Sequence, residues 1–318
     1  MTIRVRALAA LLVMATLALT GCGGRPPAGG GTAESPAARR ANGGVEIVAS
    51  FYPLQWVAEQ VAGPSAHVAS LTKPGAEPHD LELSPRDVAQ VADADLVVYL
   101  KGFQPAVDTA VEQAGGDRGF DVAAAADLRT FPAGVAGGPD RGSTGGTDPH
   151  FWLDPVRLTA VAQAVAGHLA AVDPSRADRY RSNASALTTR LHALDREYRA
   201  GLASCVSRDL VTSHRAFAYL AQRYGLTQVG ITGLTPEGEP KATDLTAIAD
   251  YITRNHVRTV YYETLVSPDI ARTVAREAGV VIAPLDPIEG LNPHAPDRDY
   301  LQVMRRNLAT LRAGQPCP

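Results

Sequence analysis

From residue 45 onward, short apolar runs alternate with stretches whose apolar positions recur at helical spacing. Residues 46–50 have strand composition, and Leu54, Val57, Ala58 and Val61 then repeat every three or four positions until Gly63-Pro64 stops them. A second strand is predicted over 67–72. It runs into a loop, 73–79, that Pro74, Gly75 and Pro78 hold out of regular structure. Ser84, Pro85 and Asp87 have the order of an N-cap, a first helical position and a capping-box acid, so a helix is expected through residue 94. The apolar run 95–100 then predicts a buried parallel strand.

Asp154-Pro155 repeats the cap logic and predicts a helix through Leu169. Asp173-Pro174 starts another, with Tyr180, Leu187, Leu191, Leu194 and Tyr198 on one stripe. At roughly 28 residues, or about 42 Å, this second helix is long enough to run from one globular half to another. Strand and helix then alternate again: strands at 209–212, 227–229, 259–262 and 280–283, and helices opening at Ser213 and covering 243–254, 268–278 and 299–313. The pattern predicts an α/β fold of two lobes, each a parallel β-sheet flanked by helices, joined by a long backbone helix. The expected divisions are an N-lobe over 45–172, the interlobe helix over 173–203 and a C-lobe over 204–318.

Length and composition agree with this picture. A chain of 318 residues with 45% hydrophobic and 20% charged residues is globular in character and has room for two cores. The formal net charge of −3 and the lack of a dense basic stripe argue against nucleic acid as a partner. Residues 1–21 read as an export signal, with Arg4 and Arg6 ahead of an apolar run too short to span a bilayer, which needs ~20 residues. Leu19-Thr20-Gly21-Cys22 resembles the lipobox of bacterial lipoproteins, so Cys22 is expected to be acylated and to hold the mature chain at the outer face of the cell membrane.

Loss of Arg4 and Arg6 leaves a side-chain charge of −5, an acidity compatible with a cation binder. Residues 22–44, rich in Gly, Pro, Ala and Arg, read as a flexible leash, and the Gly-rich stretch 133–147 as a surface loop without a phosphate-binding ending. Outside the cytoplasm the two remaining cysteines, Cys205 and Cys317, form an even pair, and a disulfide between them is expected; two free thiols are the alternative.

Three of the eight histidines stand out. His79, His150 and His214 each sit in a turn beside an apolar strand or a helix start, locked by Pro, Asp or Ser, whereas His67, His168, His192, His256 and His294 have no such partner motif. Asp286, after the apolar run 280–285 and locked by Pro287, adds a carboxylate. Three imidazoles and a carboxylate are a ligand set for a divalent transition metal. No His-Glu-x-x-His pair or Cys-x-x-Cys knuckle is present, so the ligands would be gathered from four remote loops into a cleft between lobes. Glu263, at a predicted strand end, is a candidate to accept a hydrogen bond from a ligating imidazole.

The segments Glu77-Pro78-His79-Asp80, Asp148-Pro149-His150-Phe151-Trp152-Leu153-Asp154-Pro155, Ser213-His214-Arg215-Ala216-Phe217 and Leu285-Asp286-Pro287 together resemble the ligand loops of the metal-binding subunits of ABC importers, the ZnuA and TroA type or cluster A-I solute-binding proteins. The resemblance covers residues 45–317. It implies metal ligands His79 and His150 from the N-lobe and His214 and Asp286 from the C-lobe, a permease and its ATPase as partners, and a monomer. Manganese-preferring relatives usually carry Glu where this chain has His214, so Zn2+ is the expected cargo, with Mn2+ as the alternative. The chain departs from many zinc carriers in having a Gly-rich stretch where they have a histidine-rich acidic loop. A zinc hydrolase and a surface adhesin are the rival functions; the hydrolase would need a metal position left open for water.

Overall fold

In the computed structural model, which describes residues 44–131, 146–236, 238–293, 296–297 and 299–317, two four-stranded parallel sheets carry the molecule. The export signal, the Cys22 lipobox, most of the leash, His294 and most of the Gly-rich stretch lie outside the described residues.

The first half runs β1 (Val45–Ala49), α1 (Tyr52–Ala62), β2 (Ala66–Ser70), α2 (Pro85–Asp93), β3 (Leu96–Tyr99), α3 (Pro105–Ala110), β4 (Gly119–Asp121) and α4 (Ala123–Ala126), then the antiparallel pair β5 (Arg129–Thr130) and β6 (Thr147–Asp148). Two long helices follow, α5 (Pro155–Val172) and α6 (Ala177–Leu202). The second half is β7 (Asp209–Thr212), α7 (Ala218–Tyr224), β8 (Thr227–Gly230), α8 (Ala242–Arg254), β9 (Thr259–Tyr262), α9 (Asp269–Ala278), β10 (Val281–Pro284) and α10 (Tyr300–Gly314).

The two sheets have the same topology. Their orders are β2-β1-β3-β4 and β10-β9-β7-β8, so in each the first strand is flanked by the second and third. Register is in step across the first sheet, with Val45 opposite Ala66 and Ile47 opposite Leu96. In such sheets the chain reverses direction of growth beside the first strand, and the loops leaving the carboxyl ends open a crevice there. That crevice receives the loops after β2, β7, β9 and β10.

Local chemistry explains where the helices begin. At α2, Ser84 accepts from the Asp87 amide while the Asp87 carboxylate accepts from Ser84, a complete capping box with Pro85 at the first position. The Asp154 carboxylate caps α5 by accepting from the Val156 amide at 2.9 Å, with Pro155 again at the first position. Two expected starts are displaced. Asp173-Pro174 opens a short 3-10 turn, and α6 proper begins at Ala177, because the Asp173 carboxylate is taken up by Ser175, Arg176 and Tyr180 side chains. The helix expected from Ser213 begins at Ala218 instead, because the backbone of 213–215 is bonded elsewhere: the Ser213 amide donates to Tyr261 and the Arg215 amide to Gly233.

Helix α6 touches both halves. Near its start Asn183 donates to the Val61 carbonyl at 2.9 Å, and near its end the Tyr198 hydroxyl donates to the Met304 carbonyl at 2.6 Å. One continuous apolar core runs from Val45 and Leu54 through Leu158, Leu187 and Leu194 to Tyr300 and Leu311, with a separate smaller cluster on the outer face of each sheet. Sharing one core between the halves ties them together along α6.

Cys205, just after α6, is joined by a disulfide to Cys317, closing a separation of 112 residues. Removing a native disulfide typically costs about 2–5 kcal/mol, and loop-closure entropy puts a loop of this size near the upper end of that range. The Cys205→Ser, Cys317→Ser double variant should therefore unfold at lower denaturant than the parent. The test compares midpoints with and without reductant: the parent should shift under reductant and the variant should not.

Candidate metal centre

His79 stands in the loop between β2 and α2, His150 directly after β6, and His214 directly after β7; all three are buried, His150 at 0% and His214 at 1% exposure. The structure brings them together. Ring centroids lie 5.5 Å apart for His79 and His150, 6.0 Å for His79 and His214, and 5.2 Å for His150 and His214. The fourth side chain of the cluster is Glu289, fully buried in the loop after β10. One donor atom from each of the four lies within 4.8 Å of all the others.

Four of the separations among these donor atoms are those of a small ion's shell. Glu289 Oε1 is 3.1 Å from His150 Nε2, 3.3 Å from His214 Nε2 and 3.5 Å from His79 Nε2, and the two Nε2 atoms of His150 and His214 are 3.4 Å apart. Ligand atoms at ~2.0–2.1 Å from a tetrahedral zinc stand about 3.3–3.4 Å from one another.

Hydrogen bonds behind the rings decide what faces the centre. A carboxylate accepts and does not donate, so the Nδ1 of His150, 2.9 Å from Asp148 Oδ1, and the Nδ1 of His214, 2.9 Å from Glu263 Oε1, carry the protons. In the neutral rings both Nε2 atoms then present bare lone pairs to each other and to a carboxylate. His79 Nε2 and both Glu289 oxygens have no well-aligned hydrogen bond. The lone pairs of these two buried Nε2 atoms and of the Glu289 carboxylate repel one another unless a cation or protons sit among them.

Proton affinity reflects the same crowding. Burial alone would lower the His150 value, but Asp148 and Glu289 outweigh it and raise it above the ordinary imidazole range. His214 is likewise opposed by burial and raised further, by Glu263 and Glu289. Glu289 would be raised by burial, yet the three imidazoles drive it well below the usual carboxylate range.

Asp286, expected as the fourth ligand, lies outside the cluster. Its Oδ1 accepts from the Ile288 amide at 2.8 Å, and its Oδ2 from Thr264 Oγ1 at 3.1 Å and the Arg306 guanidinium at 3.2 Å. Both of its oxygens are thus engaged by donors outside the imidazole cluster. Sequence reading passed over Glu289 because nothing local separates it from Asp286: both are acids in Leu285-Asp286-Pro287-Ile288-Glu289-Gly290. The one available signal was an acid standing among apolar residues and next to a glycine. The sequence likewise assigns Asp148 no role beyond its place in the motif. Besides its bond to the His150 ring it accepts from the His150 amide at 2.9 Å, which fixes both backbone and ring. Glu263 stands where a partner for a ligating imidazole was expected, and Ser213 Oγ also donates to it at 2.8 Å.

Two close approaches shape the loops. A Cβ on Gly230 would come within 2.5 Å of Arg215 Cγ, so the turn carrying His214 seats on β8 only with glycine there. Gly75, at φ +81°, lets the His79 loop approach Pro293 of the Glu289 loop. The segment around His150 ties the halves together at the site: Trp152 Nε1 donates to the Pro287 carbonyl at 2.8 Å, Tyr300 donates to the Trp152 carbonyl at 2.6 Å, and Tyr219 donates to the Asp148 carbonyl at 2.8 Å. His79 is the most exposed of the four at 8%, and it lines a cleft of about 940 Å³ together with Phe103, Asp121 and Thr235.

Among known proteins, residues 47–314 match the family model of ZnuA, the periplasmic component A of zinc-uptake complexes. The zinc-binding lipoprotein AdcA of Streptococcus pneumoniae serotype 4 is 35% identical over 282 residues, which are 86% of this chain and 56% of AdcA. The chain thus spans little more than half the length of that relative. The high-affinity zinc uptake system protein ZnuA of Bacillus subtilis is 30% identical over 279 residues, covering 84% of this chain and 86% of that one. The crystal structure of the Zn(II)-bound ZnuA-like domain of Streptococcus pneumoniae AdcA superposes with a TM-score of 0.71 at 33% identity, covering 85% of this chain and 98% of the domain. With two parallel-sheet lobes sharing this topology and a match across residues 47–314, the chain belongs to the ZnuA family.

Proposed function

We propose that this protein is the extracytoplasmic metal-capturing subunit of an ABC importer, binding Zn2+ through His79, His150, His214 and Glu289 and delivering it to a membrane permease driven by an ATPase. The observation that carries this reading is the convergence of four buried donor atoms, one carboxylate oxygen and three imidazole nitrogens, all within 4.8 Å of one another, four of whose separations, 3.1 to 3.5 Å, match those in a tetrahedral zinc shell. Imidazole nitrogens suit zinc better than manganese, which prefers an octahedral oxygen shell, and the relatives are named for zinc, so the manganese alternative is not favoured. Four protein ligands would complete the tetrahedron and leave no position for an activated water, which favours a carrier over a hydrolase.

Asp148 and Glu263 orient their imidazoles and fix the tautomer that presents Nε2. Acylated Cys22 would hold the mature chain at the outer face of the membrane on the leash 22–44, as a monomer beside its permease. The core shared along α6 favours release of the ion by movement of the ligand loops over rigid rotation of the halves.

Elemental analysis and competitive titration of the purified mature protein test the assignment. One zinc per chain is expected, unmoved by equimolar Mn2+, with weakened binding in His214→Ala. A preparation that takes up no zinc, or a His214→Ala variant with parental affinity, would overturn the reading.

A further inference from the structure

We infer that Asp286 is a positioning residue for Glu289: it fixes the bend at 286–288 that turns the Glu289 carboxylate into the imidazole cluster. This rests on the zinc-binding reading above.

Every polar main-chain group from Asp286 to the Ile288 amide is committed. The Asp286 amide donates to Asn307 Oδ1 at 3.0 Å, and Asn307 Nδ2 donates back to the Asp286 carbonyl at 2.6 Å. The Pro287 carbonyl accepts from Trp152 Nε1, and the Ile288 amide donates to Asp286 Oδ1 at 2.8 Å. That last bond, from a side-chain oxygen to the amide two residues on, is the local device by which an aspartate closes a turn.

The turn it closes is an unfavourable one. Ile288 has φ +58°, in the left-handed region that branched L residues rarely adopt, and is fully buried. Such a conformation persists only where the surroundings over-determine it. With Ile288 in that conformation, the next residue, Glu289, faces the imidazoles instead of continuing along the loop. Asp286 is itself held from α10 and the loop after β9, through Arg306 and Thr264, so the bend is referenced to the C-terminal helix. Its two oxygens are occupied by these donors, whereas those of Glu289 have no well-aligned donor; one acid is wired as an anchor and the other is left for an ion.

A double-mutant cycle on the mature protein distinguishes the roles, with zinc affinity read by chelator competition and the ligand shell by the visible spectrum of the Co2+-loaded protein. If Asp286 acts through Glu289, Asp286→Ala weakens zinc about 10–100-fold, the range for residues that orient a ligand. It also alters the cobalt spectrum in the same sense as Glu289→Ala, and it adds nothing further in a Glu289→Ala background. Asp286→Asn, whose amide oxygen still accepts from Ile288, keeps the parental cobalt spectrum and most of the affinity, and it serves as the test should Asp286→Ala not fold. Additive losses in the double variant, an Asp286→Ala protein with parental affinity, or an Asp286→Asn protein as weak as Glu289→Ala would overturn the assignment. A Glu289→Ala protein with undiminished affinity would instead overturn the metal-centre reading beneath it.

Discussion

Glu289→Ala in the mature protein is expected to weaken zinc binding about 100- to 1,000-fold while leaving the protein folded. Four-ligand structural zinc sites bind with ~10–16 kcal/mol, so one ligand in four accounts for roughly 3–4 kcal/mol, and each 1.4 kcal/mol is tenfold. The fold should tolerate the change because the imidazoles, which Glu289 helps to keep protonated, can stay neutral once it is removed, while His150 and His214 keep their bonds to Asp148 and Glu263, so no buried charge is left unpaired. Isothermal or competition titration gives the affinity and thermal unfolding without metal gives the control. A variant that binds within threefold of the parent would remove Glu289 from the centre.

The dependence on pH should have opposite signs for the ion and for the empty fold. Zinc needs neutral imidazoles, and His150 and His214 hold their protons above the ordinary value of about 6.5 because Asp148, Glu263 and Glu289 outweigh burial. Below those raised values, each imidazole that must be stripped of a proton costs about tenfold in affinity per pH unit, so the two together give a slope near a hundredfold per unit.

For the metal-free protein the argument reverses. A histidine raised on folding contributes stability that is fully present below its unfolded value and is lost as pH rises through the folded one. Glu289, lowered on folding, contributes stability present above its unfolded value and lost as pH falls through the folded one. The empty protein should therefore be more stable at mildly acidic pH and lose stability on the alkaline side, while the stabilisation by zinc grows with pH. Thermal unfolding from pH 5.5 to 8.5, with and without saturating zinc, checks both signs. A zinc-induced shift that is constant across that range would contradict ligation by these imidazoles.

What the amino-acid sequence determined by itself is mostly local. Short apolar runs, period-3.6 patterning, the capping box of Ser84 and Asp87 and the Asp154-Pro155 start are choices made within a few residues, and they are reproduced in the strands and in α2 and α5. The three histidines were legible for the same reason: each sits beside a turn that its own neighbours lock. The starts of α6 and α7 were less so, because Asp173 turned its cap outward to side chains and because distant carbonyls at Tyr261 and Gly233 claimed the amides on either side of His214.

The identity of the carboxylate at the centre was decided by tertiary structure alone. Asp286 and Glu289 are three residues apart, both acidic and both buried, so no local rule ranks them. The ranking comes from donors supplied by Thr264, Arg306 and Asn307, which engage Asp286 and its backbone, and from Trp152, 135 residues earlier, which holds Pro287. Those contacts exist only once both halves have packed on their shared core. A buried carboxylate whose lone pairs are already bonded anchors a loop, and one left unbonded among imidazoles is free to take an ion.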